Sequence, residues 1–233
     1  MSNSDSLNSS STSRAVTSNS LRLGIFAFLT VGLVALTWLA TKDRIQEQIR
    51  ASEQRALYEV LPQEMFDNSL IDTTVYLPDT TLLGPIEDPR GWIAFKEGQP
   101  SAVILPVVAP DGYNGRIQLL AGIDYQGKLT GVRAIVHKET PGLGDGIETR
   151  VSGWILGFSG KSLTIPDATG WAVKKDGGDF DQFTGATITP RAVVNAVYRV
   201  LKYYDLYKTD LFTRGKLTLE PADIEENANG QHD

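Results

Sequence analysis

The sequence predicts an α+β protein in which one N-terminal transmembrane helix precedes a single domain with a mixed or antiparallel sheet and a few helices. Three observations predict this class. An uncharged apolar run near the N-terminus is long enough to span a bilayer, short strand-like segments separated by turns fill the middle of the chain, and an amphipathic helix follows them. A length of 233 residues with 41% hydrophobic residues suits one folded domain with appendages.

The anchor comes first in the chain. Residues 1–20 are mostly Ser, Asn and Thr, and we expect a disordered tail there. Residues 21–41 are predicted to form the transmembrane helix, because residues 23–40 carry no charge and a helix of that length approaches the ~30 Å of a bilayer core. Trp38 lies near its end, where interfacial aromatic residues are common. Membrane lipid is therefore an expected partner.

A cleaved signal peptide is the alternative interpretation of the same segment. The apolar run is longer than the usual apolar region of a signal peptide, and Leu39-Ala40-Thr41-Lys42 is a poor match to a cleavage site. A buried core helix is also disfavoured, because no face of the segment is polar. The sequence therefore favours a retained membrane helix.

Residues 42–62 are predicted to continue as a connecting helix, rich in Gln, Glu, Arg and Ala and ended by Leu61-Pro62. The folded domain is expected over residues 63–207, and a loose tail over residues 208–233. The strands predicted in the domain are Thr73–Leu77, Trp92–Phe95, Ala102–Val108, a hairpin of Arg116–Asp124 with Leu129–His137, and Trp171–Lys175. The predicted helices are a short one within Gly146–Gly157 and a strongly amphipathic one over Pro190–Tyr204.

Composition excludes several functional classes. The chain has no cysteine, so disulfides, cysteine-ligated zinc and cysteine-held iron–sulfur clusters are ruled out. Two histidines, His137 and His232, are too few for a histidine-rich metal site, and we expect no metal. A net charge of −6 and a pI of about 5.0, without any run of Lys and Arg, indicate that nucleic acid is not a partner.

The stretch most informative about function leads into the amphipathic helix. Thr189-Pro190 is typical of a helix N-cap and first turn, and helix N-termini suit phosphate groups. Just before it, residues 184–187 (TGAT) supply small side chains and two hydroxyls, so a phosphate-bearing ligand could bind close to Thr187. A capped, glycine-containing turn without any ligand is the commoner use of such a pattern.

The segment Asp181–Thr187, with the sequence DQFTGAT, resembles the D-x-x-[ST]-G-A-[TS] flavinylation motif of the FMN-binding domain family. In that family a separate flavin transferase joins the phosphate of FMN to the last Thr of the motif through a phosphodiester. The resemblance therefore implies covalent FMN on Thr187. It also implies transferase recognition by Asp181 and cofactor contacts at Thr184, Gly185 and Ala186.

A second match lies at residues 139–144 (ETPGLG), which resemble the loop that lies against the flavin in the same family. It implies cofactor contacts at Glu139, Thr140, Leu143 and Gly144, although a Pro-Gly turn leaving a strand is the better explanation of the segment taken by itself. A third, weaker match at residues 111–117 (DGYNGRI) is given no cofactor role. No catalytic residue is expected.

Two lysines precede the flavinylation motif and could interact with a negatively charged cofactor. Lys174 and Lys175 are candidates to offset the phosphate charge or to stabilise a reduced flavin, although a solvated strand end is their more ordinary use.

The FMN-binding domain family includes the G subunit of the Rnf (also called Rsx) ion-translocating oxidoreductase complex and the C subunit of the sodium-translocating NADH:quinone oxidoreductase. The resemblance to the Rnf protein is the closer one, because the chain is short and residues 173–178 (VKKDGG) look like that protein. It implies an electron-transfer subunit in a bacterial inner membrane, with the other Rnf subunits as partners and the domain in the periplasm. A count of basic residues beside the anchor favours the cytoplasm instead, so the orientation depends on the resemblance.

Two alternatives stay open beside this interpretation. One is a stand-alone, membrane-anchored flavoprotein reductase, and the other is a non-redox, membrane-anchored binding or scaffold subunit.

Overall fold

The computed structural model describes residues 5–219, and the chain divides after Ala51 into two compact units. Helix α1 spans Asp5–Val60. Its segment Asn19–Val60 is long and apolar enough to cross a membrane, with a mean hydropathy of 2.2 in its most apolar window and none of that window buried. These properties agree with the anchor predicted at residues 21–41.

The structure differs from the tail expected over residues 1–20, because residues 5–20 are helical and belong to α1. These residues contain neither Gly nor Pro, so nothing in the local sequence interrupts the helix before the apolar span begins. The first four residues of that tail, and residues 220–233 of the predicted C-terminal tail, lie outside the described residues.

The second unit is built on a five-stranded antiparallel sheet whose strand order follows the chain. The strands are β1 (Thr74–Tyr76), β2 (Arg90–Lys96), β3 (Gln99–Gly112), β4 (Gly115–Asp124) and β5 (Leu129–Val136). Every strand predicted before residue 137 overlaps one of them, and the predicted hairpin is β4–β5. The α+β class and the antiparallel sheet are therefore confirmed.

Both faces of this sheet are covered by helices. Successive side chains of a strand point to opposite faces, so one strand contributes to two cores. On β4, Leu119 and Ala121 belong to a core shared with helix α2 (Ile188–Leu219), whereas Leu120 belongs to a second core shared with the end of α1. Val60 of α1 lies directly against a strand glycine, since a Cβ on Gly122 would come within 2.5 Å of the Val60 carbonyl oxygen. The folded unit consequently begins at Ser52, earlier than the predicted boundary at residue 63.

Helix α2 is longer than the predicted Pro190–Tyr204. It continues to Leu219, so residues 208–219 are not a loose tail. Leu211 and Phe212 are buried in the main core, and a Cβ on Gly215 would come within 2.7 Å of Ile93. These contacts hold the last turns of the helix against the sheet.

Other segments form short 3₁₀ turns. They are Gln63–Met65, Thr80–Leu83, Asp145–Ile147, Trp154–Phe158 and Lys174–Asp176. Two of them, Asp145–Ile147 and Trp154–Phe158, replace the short helix predicted within Gly146–Gly157. The predicted strand Trp171–Lys175 is wrong, because only Val173 pairs, with Phe180, before the chain turns at Gly177 with a φ of +89°.

Candidate functional site

A cleft forms where three segments that are far apart in the sequence meet. They are the turn after β3, the loop after β5 and the segment that enters α2, and together they enclose about 130 Å³ of free space. The residues that line the cleft are Tyr113, Glu139, Thr140, Leu143, Gly144, Gly185, Ala186, Thr187, Ile188 and Thr189. The structure thus brings both predicted flavin segments into one site.

The Glu139 carboxylate joins these three segments. Glu139 is only 4% exposed. Its Oε1 accepts a hydrogen bond from the Asn114 N–H at 3.0 Å, and its Oε2 accepts bonds from the Tyr113 N–H at 3.3 Å and from the Thr189 hydroxyl. The packing around it is close, since a Cβ on Gly144 would lie 2.9 Å from Oε2. Glu139, which the sequence assigned to the flavin, therefore holds the walls of the cleft together.

His137 stabilises the start of the Glu139 loop through hydrogen bonds. Its Nδ1 accepts a hydrogen bond from the Glu139 N–H at 3.2 Å, and its Nε2 lies 3.0 Å from Oε1 of Glu148. Arg150 also binds Glu148, and that hydrogen bond is the main reason why the pKa of Glu148 lies below its ordinary value, with the neighbouring His137 adding to the effect. Burial opposes the shift but is outweighed.

The DQFTGAT segment turns sharply before it enters the cleft. The Ala186 N–H donates to the Phe183 carbonyl at 3.1 Å, which closes a four-residue turn. Gly185 occupies the third position of this turn with a φ of +79°, a conformation that favours glycine. The main chain at Gly185 is also accessible from the cleft. Gly185 has no side chain, and the atom nearest to the position of a Cβ there belongs to Leu143, at 3.9 Å.

Helix α2 begins directly after this turn. Its first residue is Ile188, and the Arg191 N–H donates to the Thr187 carbonyl at 3.3 Å, so Thr187 takes the N-cap position. The prediction that Thr189 is the N-cap is wrong, because its side chain is fully buried and donates to Glu139. Pro190 lies inside the first turn, where its missing N–H costs no hydrogen bond.

The hydroxyls that line the cleft differ in their availability. Thr189 is fully buried and bonded, and the Thr140 oxygen accepts a hydrogen bond from the Asn114 amide at 3.0 Å. Thr187 is half-buried, and within residues 5–219 its hydroxyl forms no hydrogen bond. In the same part of the chain, the N–H groups of Ile188 and Thr189 also have no acceptor. The cleft therefore combines an available hydroxyl with the donors and positive dipole end of a 32-residue helix.

Two of the motif residues that were predicted to belong to the site lie outside the cleft. Thr184 is exposed on the turn. Asp181 is also exposed, and its carboxylate pairs with the Lys174 ammonium at 2.6 Å. Lys174 and Lys175, the candidates to offset a phosphate charge, do not line the cleft.

Aromatic packing fixes the position of the motif segment. The Trp154 indole N–H donates to the Asp181 carbonyl at 2.8 Å, and the Trp154 ring meets Phe183 edge-on with 5.1 Å between ring centroids. Phe183 also covers Gly146, where a Cβ would come within 3.0 Å of its ring. The motif segment is thus held by contacts with Gly146 and Trp154, which follow the Glu139 loop in the sequence.

Known proteins match most of the chain. Residues 112–202 match the family model described as FMN-binding domain, and residues 4–60 match that of the RnfG N-terminal region. The G subunit of the ion-translocating oxidoreductase complex of Pseudomonas aeruginosa (strain UCBPP-PA14) is 54% identical over 195 residues, which cover 83% of this chain and 91% of the relative. The chain belongs to the RnfG family of ion-translocating oxidoreductase subunits.

Further members of the RnfG family agree. The proteins of Shewanella loihica and Vibrio parahaemolyticus are each 47% identical, over 86% of this chain and 95% and 94% of the relatives. Among solved structures, the crystal structure of Shewanella oneidensis NqrC matches with 21% identity and a TM-score of 0.43, over 68% of this chain and 74% of that one. The family models and the identities to the G subunits confirm, at the level of the family, the resemblance inferred from the motifs.

For this member of the RnfG family, sequence reasoning missed three cleft residues, Tyr113, Ile188 and Thr189. The weak DGYNGRI match contains Tyr113 and could have indicated it. Ile188 and Thr189 follow the motif directly, but only the folded chain shows that one is exposed beside the cleft and the other bonded to Glu139.

Proposed function

We propose that this chain is a membrane-anchored electron-transfer subunit that carries FMN bound covalently through the Thr187 hydroxyl. The observation that carries this proposal is the contrast between Thr187 and Thr189. Of the two, only Thr187 presents a half-buried hydroxyl without a hydrogen bond to any residue of 5–219, at the N-cap of α2 and inside the cleft formed by both flavin motifs. Esterification of Thr189 would instead break the contact that holds Glu139.

The residues of the cleft fit the phosphate end of FMN. The N–H groups of Ile188 and Thr189 have no acceptor within the described chain, and the α2 dipole favours a negative group at that end. Gly185 turns the backbone there without adding a side chain. We infer that these groups would hold the phosphate, whereas the exposed apolar side chains of Leu143 and Tyr113 would contact the flavin ring.

The size of the cleft explains why a covalent bond is useful. Pockets that retain drug-sized ligands by contacts alone typically enclose about 300–1,000 Å³, whereas this cleft offers about 130 Å³. It can enclose only part of a molecule as large as FMN, so contacts alone would hold the cofactor weakly. When bound, FMN supplies electron-transfer chemistry, and the contribution of the chain is attachment, orientation and tuning.

The wider assignment follows from the family and the anchor. The relatives are named as subunits of an ion-translocating oxidoreductase complex, and we propose that other subunits of such a complex and a flavin transferase are partners of this chain. The apolar side chains of residues 21–39 are exposed along α1, which supports contact with membrane lipid. We further propose a bacterial inner-membrane location with the domain in the periplasm. One anchor helix forms no ion path, so the proposed role is limited to electron transfer.

The intact mass of the full-length chain tests the attachment. Protein made together with a flavin transferase is expected to be heavier than the bare chain by the mass of FMN less one water, and to give a fluorescent band after denaturation. Thr187→Val replaces the hydroxyl with a methyl group of similar volume and is expected to abolish both signals. The matched control Thr187→Ser keeps a hydroxyl and is expected to retain them.

Three outcomes would contradict the proposal or part of it. An equally bright band from Thr187→Val would place the flavin elsewhere, and an unmodified wild type would favour the non-redox scaffold. If the flavin is attached but no multi-spanning proteins purify with the chain from native membranes, the stand-alone reductase is favoured.

A further inference from the structure

Both ring nitrogens of His137 are engaged next to the Glu139 loop. The side chain is 11% exposed. Nδ1 faces the Glu139 main-chain N–H at 3.2 Å, and Nε2 faces the Glu148 carboxylate at 3.0 Å. Because a main-chain N–H can only donate, Nδ1 must accept, so the arrangement requires the neutral imidazole with its proton on Nε2.

Protonation would remove one of these two bonds. In the imidazolium both nitrogens are donors, so the Nδ1–H and the Glu139 N–H would face each other. Glu139 is 4% exposed, so water cannot easily replace the lost acceptor. The start of the Glu139 loop must then move, or the ring must turn away from Glu148.

Movement at Glu139 would reach the whole cleft. Its carboxylate is bonded to the main chain at Tyr113 and Asn114 and to the hydroxyl of Thr189. Thr189 lies two residues from Thr187 on the first turn of α2. A change at His137 is therefore connected through hydrogen bonds to all three segments that form the cleft.

Charged and polar groups face His137 from several elements. The Glu148 carboxylate lies beside Nε2 and is paired with Arg150. The Glu139 N–H donates to Nδ1. The other charged side chains of these elements are Lys138, which is next in the chain, Asp145 in the turn before Glu148, Arg133 bonded to Thr149, and Glu59 paired with Arg133.

We propose that His137 is a positioning residue that makes the geometry of the flavin cleft depend on pH. The neutral ring holds the Glu139 loop in the arrangement described here, and the protonated ring releases it. Lowering the pH until the ring takes up a proton is therefore expected to release the loop. The effect on bound flavin rests on the proposed function, whereas the effect on the loop does not.

Two substitutions separate the two bonds of His137. In His137→Asn the side-chain oxygen stands close to the position of Nδ1 and can still accept from the Glu139 N–H, but it does not titrate. In His137→Gln the side-chain amide stands close to the position of Nε2 and can still donate to Glu148, but the acceptor for Glu139 is lost. The full-length chain in detergent, labelled with ¹⁵N-glutamate, reports the Glu139 amide resonance, which is assigned by its absence in Glu139→Gln.

In the wild type the Glu139 amide resonance is expected to move from one position to another in a single step as the pH is lowered. In His137→Asn it should stay near the high-pH position of the wild type at every pH, and in His137→Gln near the low-pH position. A wild-type resonance that does not titrate, or an Asn variant that titrates like the wild type, would overturn the proposal. If the Gln variant does not fold, the comparison of Asn with wild type still decides.

The fluorescence of flavin on the loaded chain gives a second measurement. Its intensity should change over the same pH range in the wild type and lose that change in His137→Asn. Because the amide resonance is recorded on chain made without transferase, it tests His137 even if no FMN is ever found on Thr187. An amide that titrates in chain that never becomes flavinylated would therefore contradict the proposed function and leave the role of His137 intact.

Discussion

The bond between Thr189 and Glu139 allows a quantitative test of the cleft. Thr189→Val keeps the volume of the side chain but removes the hydroxyl, so the Glu139 carboxylate loses one of its donors and retains the main-chain N–H groups of Tyr113 and Asn114. Hydrogen bonds to charged groups typically contribute about 1.5–3 kcal/mol. Because Thr189 is fully buried, no water replaces the lost donor, and we expect a loss of about 2 kcal/mol in the free energy of unfolding.

Thermal unfolding of the full-length chain, made without transferase and followed by circular dichroism, measures this loss. For a unit the size of Ser52–Asp233, each kcal/mol corresponds to roughly 2–4 °C, so the midpoint should fall by roughly 4–8 °C. Thr189→Ser keeps the hydroxyl and should lose less. Thr187→Val removes a hydroxyl that has no bond and should change stability by no more than about 0.5 kcal/mol. A Thr189→Val midpoint equal to that of the wild type would refute the assigned bond.

The remaining predictions concern two glycines and one acid. Gly144→Ala would place its Cβ 2.8 Å from the Thr189 hydroxyl oxygen, so we expect lower stability and weaker flavinylation in gel fluorescence. Gly185→Ala meets no atom closer than 3.9 Å but is held at a φ of +79°, so we expect only the ~1–2 kcal/mol cost of a left-handed alanine, measured by denaturant unfolding. A larger loss in Gly185→Ala than in Gly144→Ala would contradict this ranking. The Arg150 bond lowers the folded-state pKa of Glu148, so Glu148 should stabilise the wild type relative to Glu148→Gln above about pH 4.5, and this advantage should shrink as pH falls through the lowered pKa. Unfolding midpoints of both proteins from pH 3 to 7 check this, and an advantage that grows toward low pH would contradict it.

Local patterns in the sequence were sufficient to predict the sheet but not the ends of the elements. The β4–β5 hairpin was predictable because alternating apolar residues flank the turn at residues 125–128. Trp171–Lys175 has strand-like residues too, but the folded chain supplies no neighbouring strand, and Val173 forms only one bridge. The last turns of α2 were missed because Leu211 and Phe212 are buried by contact with a distant sheet, which no local pattern reveals.

The candidate site shows the same division between local and distant information. The motifs identify Thr187 and the Glu139 loop, but they do not show that the two segments touch. The contact runs through Thr189, which is fifty positions from Glu139 and which local reasoning made a helix cap. A Thr-Pro pair at a helix start favours capping in general. Here the Thr189 hydroxyl instead donates to the Glu139 carboxylate, and Thr187 occupies the N-cap position.

With FMN attached to Thr187 as we propose, the position of this residue also determines what can move. Its carbonyl is tied to α2, whose first turns carry Ala192 and Val193 into the main core, so the pivot is stationary relative to the sheet. Any reach that the tethered group needs to approach one carrier and then another must come from rotation about single bonds in its own linker. The domain would therefore hold the attachment point fixed while the linker of the cofactor rotates, and electron transfer would require no rearrangement of the polypeptide.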